Sequence, residues 1–235
     1  MFKRHSIILW ADAVKEDFQQ SLNKAYKLLL ALKEFGPELS PNYLTAIKKK
    51  EAKKFDLSIE TLEELLKKSV NKEGNTVFPD LGYSISFFSS IKADDSAGVS
   101  ISVGISNPKF NNCFIVKLPL SLPVYTSNEV RSKLILLFKE CITVFEPFWG
   151  CISNSVNIRR YEGFWGDKLP TTIHWVNYFG SQVSEELGES KILSSPYINE
   201  KFHSGALVLL KDEPINDEFE EDVKIQQKAN IYFGL

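Results

Sequence analysis

Three histidines, three cysteines and several adjacent acid pairs are the raw material from which a reactive centre could be assembled. His5 and His174 fall in segments that read as strands, and His203 lies near the start of another. Metal-binding histidines and cysteines cluster at helix or loop spacings, and no such spacing occurs here. Cys113, Cys141 and Cys151 are odd in number and form no CxxC. Each lies in or beside an apolar segment, where a cysteine commonly behaves as a small buried hydrophobe. A Cys–His nucleophilic pair would need partners that meet only in space. There is no GxGxxG and no GxxxxGK followed by Ser or Thr, and Ser153, Ser155 and Ser204-Gly205 do not build a nucleophile elbow. Asp94-Asp95, Glu185-Glu186 and Glu220-Glu221 sit in hydrophilic runs, the setting of solvated surface rather than of an acid and a base. These residues point to no catalytic centre, no cofactor and no metal, and so away from an enzyme.

The elements that would position such groups follow from periodicity. His5–Trp10 reads as a strand, and a helix is predicted to open at Asp12 or Ala13. Phe18, Leu22, Ala25, Leu28, Leu29 and Leu32 recur at mostly helical steps, until Gly36-Pro37 stops them. Residues 38–55 carry five lysines between Lys48 and Lys54 and read as a basic exposed loop or short helix. Ser58 starts a second helix, and Glu73-Gly74-Asn75 is a turn. Tyr83–Ser90, Val99–Ile105 and Phe114–Leu118 alternate or run apolar, with short turns between them, which predicts an antiparallel meander. Ser127 caps a third helix through Val144. Strands are then predicted at Trp149–Val156, Thr172–Tyr178 and Phe202–Leu210, with a loop at 161–168, a turn or helical turn at 184–189 and a terminal helix over 218–230. Strands in runs with helices between the runs give an α+β fold: an antiparallel sheet packed by several helices. The chain reads as one domain over residues 1–235, divisible into halves 1–125 and 126–235 that each place a helix before a run of strands.

Large aromatics are concentrated. Residues 145–179 hold nine of them, including Trp149, Trp165 and Trp175, three of the four tryptophans. The strand–loop–strand layout makes most of this stretch core, because aromatics in a sheet pack against helices. The loop Tyr161–Gly166 is the exception: glycines flank Phe164 and Trp165, which suits an outward-reaching anchor. Around Trp175 the alternation leaves two registers open, burying either Ile173, Trp175 and Asn177 or His174, Val176 and Tyr178.

The formal net charge is −2, so no global field favours nucleic acid or a membrane. The charge is uneven, however. Residues 1–72 carry 14 Lys/Arg against 10 Asp/Glu, and residues 182–235 carry 5 Lys against 11 Asp/Glu, a balance of −6. Arg159-Arg160-Tyr161 could stack on nucleic acid, but no wider basic patch supports it. The apolar run Ile7–Trp10 is too short for a signal peptide, and no stretch approaches a membrane span. With the cysteine usage, this fits a reducing cytoplasm.

Pro147-Phe148-Trp149-Gly150, Leu169-Pro170, His174–Gly180, Leu81-Gly82-Tyr83-Ser84 and the Ile8-Leu9-Trp10 strand with its long helix together resemble the Immunity protein 52 family of bacterial polymorphic-toxin systems. The resemblance spans about residues 3–210, and its strand–turn–strand ending is also similar to an immunity family found beside type VI secretion effectors. It implies a small cytoplasmic protein that binds a toxin, here a nuclease of restriction-endonuclease-like fold, and blocks it stoichiometrically in contact-dependent competition. It carries over no catalytic residue. Nuclease toxins usually present a basic cleft, so an acidic surface would speed and select association. The candidate partner-binding residues are therefore Glu185, Glu186, Glu189, Asp212, Glu213, Asp217, Glu218, Glu220, Glu221 and Asp222, with Phe164 and Trp165 as anchors. The alternative is an adaptor or chaperone for a secreted effector, which would promote delivery instead of abolishing toxicity.

Overall fold

The computed structural model describes residues 3–92, 95–160 and 168–235. Its centre is β1 (His5–Ala11), an apolar strand that pairs on both sides with strands far along the chain. After it, α1 (Phe18–Phe35) runs for five turns and buries Leu22, Ala25, Leu28, Leu29 and Leu32. The helix opens at Asp17 and not at Asp12 or Ala13. Asp17 Oδ1 accepts from the Gln20 N–H at 2.7 Å while Gln20 Oε1 accepts from the Asp17 N–H at 2.8 Å, a reciprocal capping box. Upstream, the Val14 N–H bonds to the Ile105 carbonyl, which holds that segment out of the helix. The basic stretch that follows is a two-residue strand β2 (Tyr43–Leu44) and a single 3-10 turn at Lys49–Glu51.

Ser58 caps α2 (Ile59–Lys68), and a small hairpin of β3 (Lys72–Glu73) and β4 (Thr76–Val77) leads into the meander. The meander comprises β5 (Leu81–Phe88), β6 (Gly98–Ile105) and β7 (Asn112–Lys117), all antiparallel. Then come α3 (Asn128–Phe145), capped by Ser127, and β8 (Trp149–Asn154). Where one strand to Val156 was expected, the chain turns into α4 (Ser155–Arg160) as the Asn154 side chain accepts from the Val156 and Asn157 N–H groups. The next strand, β9 (Val176–Phe179), begins later than expected, because Asn177 closes a local turn on both the N–H and the carbonyl of His174. The segment expected as a turn or a helical turn at 184–189 is helical, in two short helices, α5 (Ser181–Leu187) and α6 (Glu189–Leu193). The expected strand over 202–210 is a hairpin, β10 (Ile198–Phe202) and β11 (Gly205–Leu209), reversing at His203-Ser204. The last helix is α7 (Glu220–Phe233).

Among the described residues, nine strands form one antiparallel sheet in the order β10-β11-β9-β8-β1-β7-β6-β5-β2, with helices packed on it: an α+β fold. Over the meander the two faces differ. One carries Ile85, Phe87, Val99, Ile101, Phe114 and Val116, all buried. The other carries a serine ladder, Ser84 to Ser102 at 3.1 Å and Ser86 to Ser100 at 3.0 Å. Past β1 both faces are covered, and every residue of β8, β9 and β11 is buried. On the Leu9 face α3 lies close: a Cβ on Gly150 would meet Leu9 Cδ2 at 2.3 Å and Phe138 Cζ at 3.4 Å. On the opposite face Trp149 stacks on Trp10, ring centroids 4.7 Å apart and 2° from parallel. α7 packs on this half too, with Phe233 against Phe179 and with Gln226 and Asn230 bonded to the backbone of Ile173. The two registers open around Trp175 thus pose no choice, since Ile173, His174, Trp175, Val176, Asn177 and Tyr178 are all buried.

Candidate functional site

A recess forms where α3 stops. Its last residue is Phe145; Glu146 then takes a left-handed conformation (φ 55°) and donates its N–H to the Ile142 carbonyl at 2.9 Å. Glycine is the usual residue at such a helix end because an L side chain there crowds the following carbonyl. Among the described residues only two other non-glycine residues have positive φ: Lys168 (64°) and His203 (51°). Glu146 and His203 line one cavity of about 530 Å³, together with Asp12, Ile142, Thr143, Pro147, Phe148, Tyr178, Ser181, Gln182 and Ser204. His203 Nε2 lies 2.8 Å from the Thr143 hydroxyl. Lys168 pairs with Asp12 and stands 5.2 Å over the Phe148 ring. Strained backbone concentrates at working sites, and two such residues from separate segments lining one recess, with Lys168 bound to its Asp12 and Phe148, fit that pattern.

Replacing Glu146 with glycine is expected to raise stability by about 1 kcal/mol, the cost of holding an L residue in the left-handed region. That corresponds to roughly 2–4 °C in the thermal midpoint for a chain of this size, measured by calorimetry. A lower midpoint would mean that the Glu146 side chain contributes more to the fold than its conformation costs.

The candidate partner-binding acids fall into two groups that leave opposite ends of β11. α5 follows β9, whose last residue pairs with Ala206, and it carries exposed Glu185 and Glu186. The cavity residues Ser181 and Gln182 open this same helix, so the two acids adjoin the recess. Glu189 is exposed but paired with Lys201 at 2.8 Å. Past Leu209, Asp212, Glu213 and Glu221 are exposed, and among the described residues they form no ion pair. Glu218 pairs with Lys3 at 3.0 Å and Glu220 with Lys224 at 2.6 Å. Asp217 is half-buried, and its Oδ1 is buried without a partner. Asp222 is not at the surface. It is buried, accepts from Lys211 Nζ at 2.5 Å and from the Asn216 N–H at 2.8 Å, and so ties the loop after β11 to α7. Phe164 and Trp165 lie outside the described residues; the chain resumes at Lys168, beside the cavity.

The sequence did not bring out Glu146 or Lys168, and offered His203 only as a histidine near the start of a strand. The only signal was Ser204-Gly205, a turn pair inside a run that otherwise reads as strand.

Elsewhere His5, His174, Ser153, Cys141 and Cys151 are buried, and Cys113 is partly so. Ser153 Oγ lies 2.7 Å from His174 Nδ1, the spacing of a nucleophile and its base. Both are buried, however, and burial pulls the His174 pKa down to about 3, too low for a base at neutral pH. Burial also pushes the Cys113 thiol up to about 12 and raises Cys141 and Cys151, which suppresses their thiolates. Among the described residues no group of three or more His, Cys, Asp and Glu side chains is placed to hold a metal ion. No helix among them is long and apolar enough to cross a membrane.

Comparison with known proteins gives two findings. The sequence model of Immunity protein 52 matches residues 8–229. Among solved structures, the fold is similar to that of the Pseudomonas aeruginosa T6SS protein PA0821, with a TM-score of 0.63 and 14% identity over 98% of this chain and 72% of that one. No curated protein sequence matches.

Proposed function

We propose that this chain, which belongs to the Immunity protein 52 family, binds a cognate bacterial toxin and neutralises it by occupying its surface, with no chemistry of its own. The family match over residues 8–229 carries this reading. The burial of His5, His174, Cys141 and Cys151 supports it, since a stoichiometric inhibitor needs a rigid scaffold and a complementary surface. The toxin is a nuclease of restriction-endonuclease-like fold delivered by type VI secretion, and the inhibitor acts in the cytoplasm of the producing cell. The secretion context draws support from the structural likeness to a T6SS protein. The nuclease assignment draws support from the acids left exposed on α5 and after β11, which complement a basic cleft. Glu185, Glu186, Asp212, Glu213 and Glu221 form the docking surface, with Phe164 and Trp165 as its aromatic anchors. Asp222 is omitted because its carboxylate is bound internally.

Two measurements test this. Cells expressing the toxin encoded beside this chain are expected to survive only when the chain is co-expressed; enhanced delivery of the toxin without protection would identify a chaperone instead. Changing Glu185, Glu186, Asp212, Glu213 and Glu221 together to lysine is expected to slow association at least ~10-fold at low salt, with the gap narrowing as salt is raised. Stopped-flow rates that match those of the unchanged chain would remove the acidic surface from the reading.

A further inference from the structure

The recess at the end of α3 has the electrostatics of a cation site. An α-helix gathers partial negative charge at its C-terminus. α3 brings 18 residues of it to a last turn that has no basic side chain, and follows it with a glutamate. Ile142, Thr143 and Glu146 then line the cavity. Glu146 is exposed and, among the described residues, forms no ion pair. The cation at the rim, Lys168, is engaged by Asp12 and by the Phe148 ring. His203 is held by the Thr143 hydroxyl. The walls therefore offer an uncompensated carboxylate, a helix C-terminus and the side-chain oxygens of Ser181, Gln182 and Ser204. At about 530 Å³ the recess falls within the roughly 300–1,000 Å³ range of small-ligand pockets. That is ample for one long side chain. Glu146 also keeps its carboxylate at a backbone position that glycine would occupy with less strain.

We propose that this cavity receives an arginine or lysine side chain projecting from the bound toxin, with Glu146 as its ion-pair partner at the mouth. The inference rests on the toxin-binding reading above and deepens it. It gives the α5 side of the docking surface a socket, and Glu185 and Glu186 adjoin it on α5. An arginine would use its planar fork, donating to the carboxylate and to neutral oxygens together; a lysine would act as a point charge.

Two measurements on the full chain decide it. The first is calorimetric affinity for the toxin encoded beside this chain, comparing the unchanged protein with Glu146→Gln and Glu146→Gly. The glycine variant is expected to be at least as stable as the parent, so a loss of binding in it is not unfolding. Both variants are expected to bind at least ~10-fold more weakly, the scale of a charge-assisted contact. The second is a nuclear magnetic resonance titration with N-acetyl-arginine amide, with N-acetyl-lysine amide, and with N-acetyl-glutamine amide as the neutral control. Saturable shifts of the Glu146, His203 and Ser204 amides are expected with one or both cationic probes, absent with the neutral one and lost in Glu146→Gly. The probe that binds more tightly identifies the side chain. Toxin affinity unchanged within twofold in both variants would overturn the socket while leaving the immunity reading in place. If the unchanged chain neither binds nor protects against the toxin, the immunity reading falls. Absence of saturable shifts, or shifts that survive in Glu146→Gly, would then overturn the socket on its own terms.

Discussion

Lowering the pH from 7 to 5 is expected to cost the folded protein on the order of 4 kcal/mol of unfolding free energy, the sum of two buried histidines titrated at about 1.4 kcal/mol per pH unit. His5 and His174 are almost fully buried. Burial drives their pKa values down from 6.5, to about 4 for His5 and about 3 for His174; a backbone hydrogen bond at Lys3 partly opposes the shift at His5. In the folded state both rings stay neutral at pH 5, whereas in the unfolded chain both take up a proton below pH 6.5. The unfolded state therefore binds more protons across this window, and stability falls as the pH drops through it. The loss levels off for each ring only below its folded pKa. The surroundings explain why neither ring charges in place. His5 packs against Tyr125 and Trp175, with Nε2 buried and unbonded, and His174 lies against the Trp149 indole. Urea unfolding at pH 7, 6 and 5 measures the effect. Replacing either histidine, as His5→Leu or His174→Gln, is expected to remove about half of the slope. A parent protein equally stable at pH 7 and 5 would refute the account, and so would variants that keep the full slope.

Trp149→Ala is expected to cost about 4 kcal/mol, the middle of the range for a buried large aromatic cut to alanine. The side chain is fully buried. It lies between the Trp10 ring on one neighbouring strand and Phe179, its register partner on the other, with His174 above. Truncation would empty the junction of β1, β8 and β9, where both faces are covered and little can collapse inward. With total stability on the order of 5–15 kcal/mol, such a loss leaves the protein marginal. Trp149→Phe, which retains a ring, is expected to keep more than half of the stability lost in the alanine variant. Denaturant midpoints give the comparison, and a loss below about 1.5 kcal/mol in the alanine variant would show that the stack is not a fixed part of the core.

The period-two meander was readable because half of each strand faces water: Ser84, Ser86, Ser100 and Ser102 alternate with Ile85, Phe87, Val99 and Ile101. Past β1 that contrast disappears. β8, β9 and β11 are buried on both faces, so their residues carry no alternation from which to read ends or register. The start of α1 was mistaken although Asp17 and Gln20 stand at capping-box spacing; Asp12 is an equally good cap by type, and only the bond from Val14 to Ile105 excludes it. The acidic run was legible as surface, with one exception. Nothing in the spacing of Asp222 reveals that Lys211 folds back to meet it. The recess at the end of α3 had no sequence signature, because Asp12, Thr143, Glu146, Gln182 and His203 come from separate segments.

The placement of β1 has a consequence for synthesis on the ribosome. It is made well before its neighbours, yet it occupies the middle of the sheet, and its partners β7 and β8 begin only at Asn112 and Trp149. At roughly 5–20 residues per second, Ser6–Ala11 waits several seconds before either side is paired. During that time an apolar, strand-forming segment, Ile7-Ile8-Leu9-Trp10, is open to other chains. The sheet cannot close around it until about two-thirds of the chain has been translated.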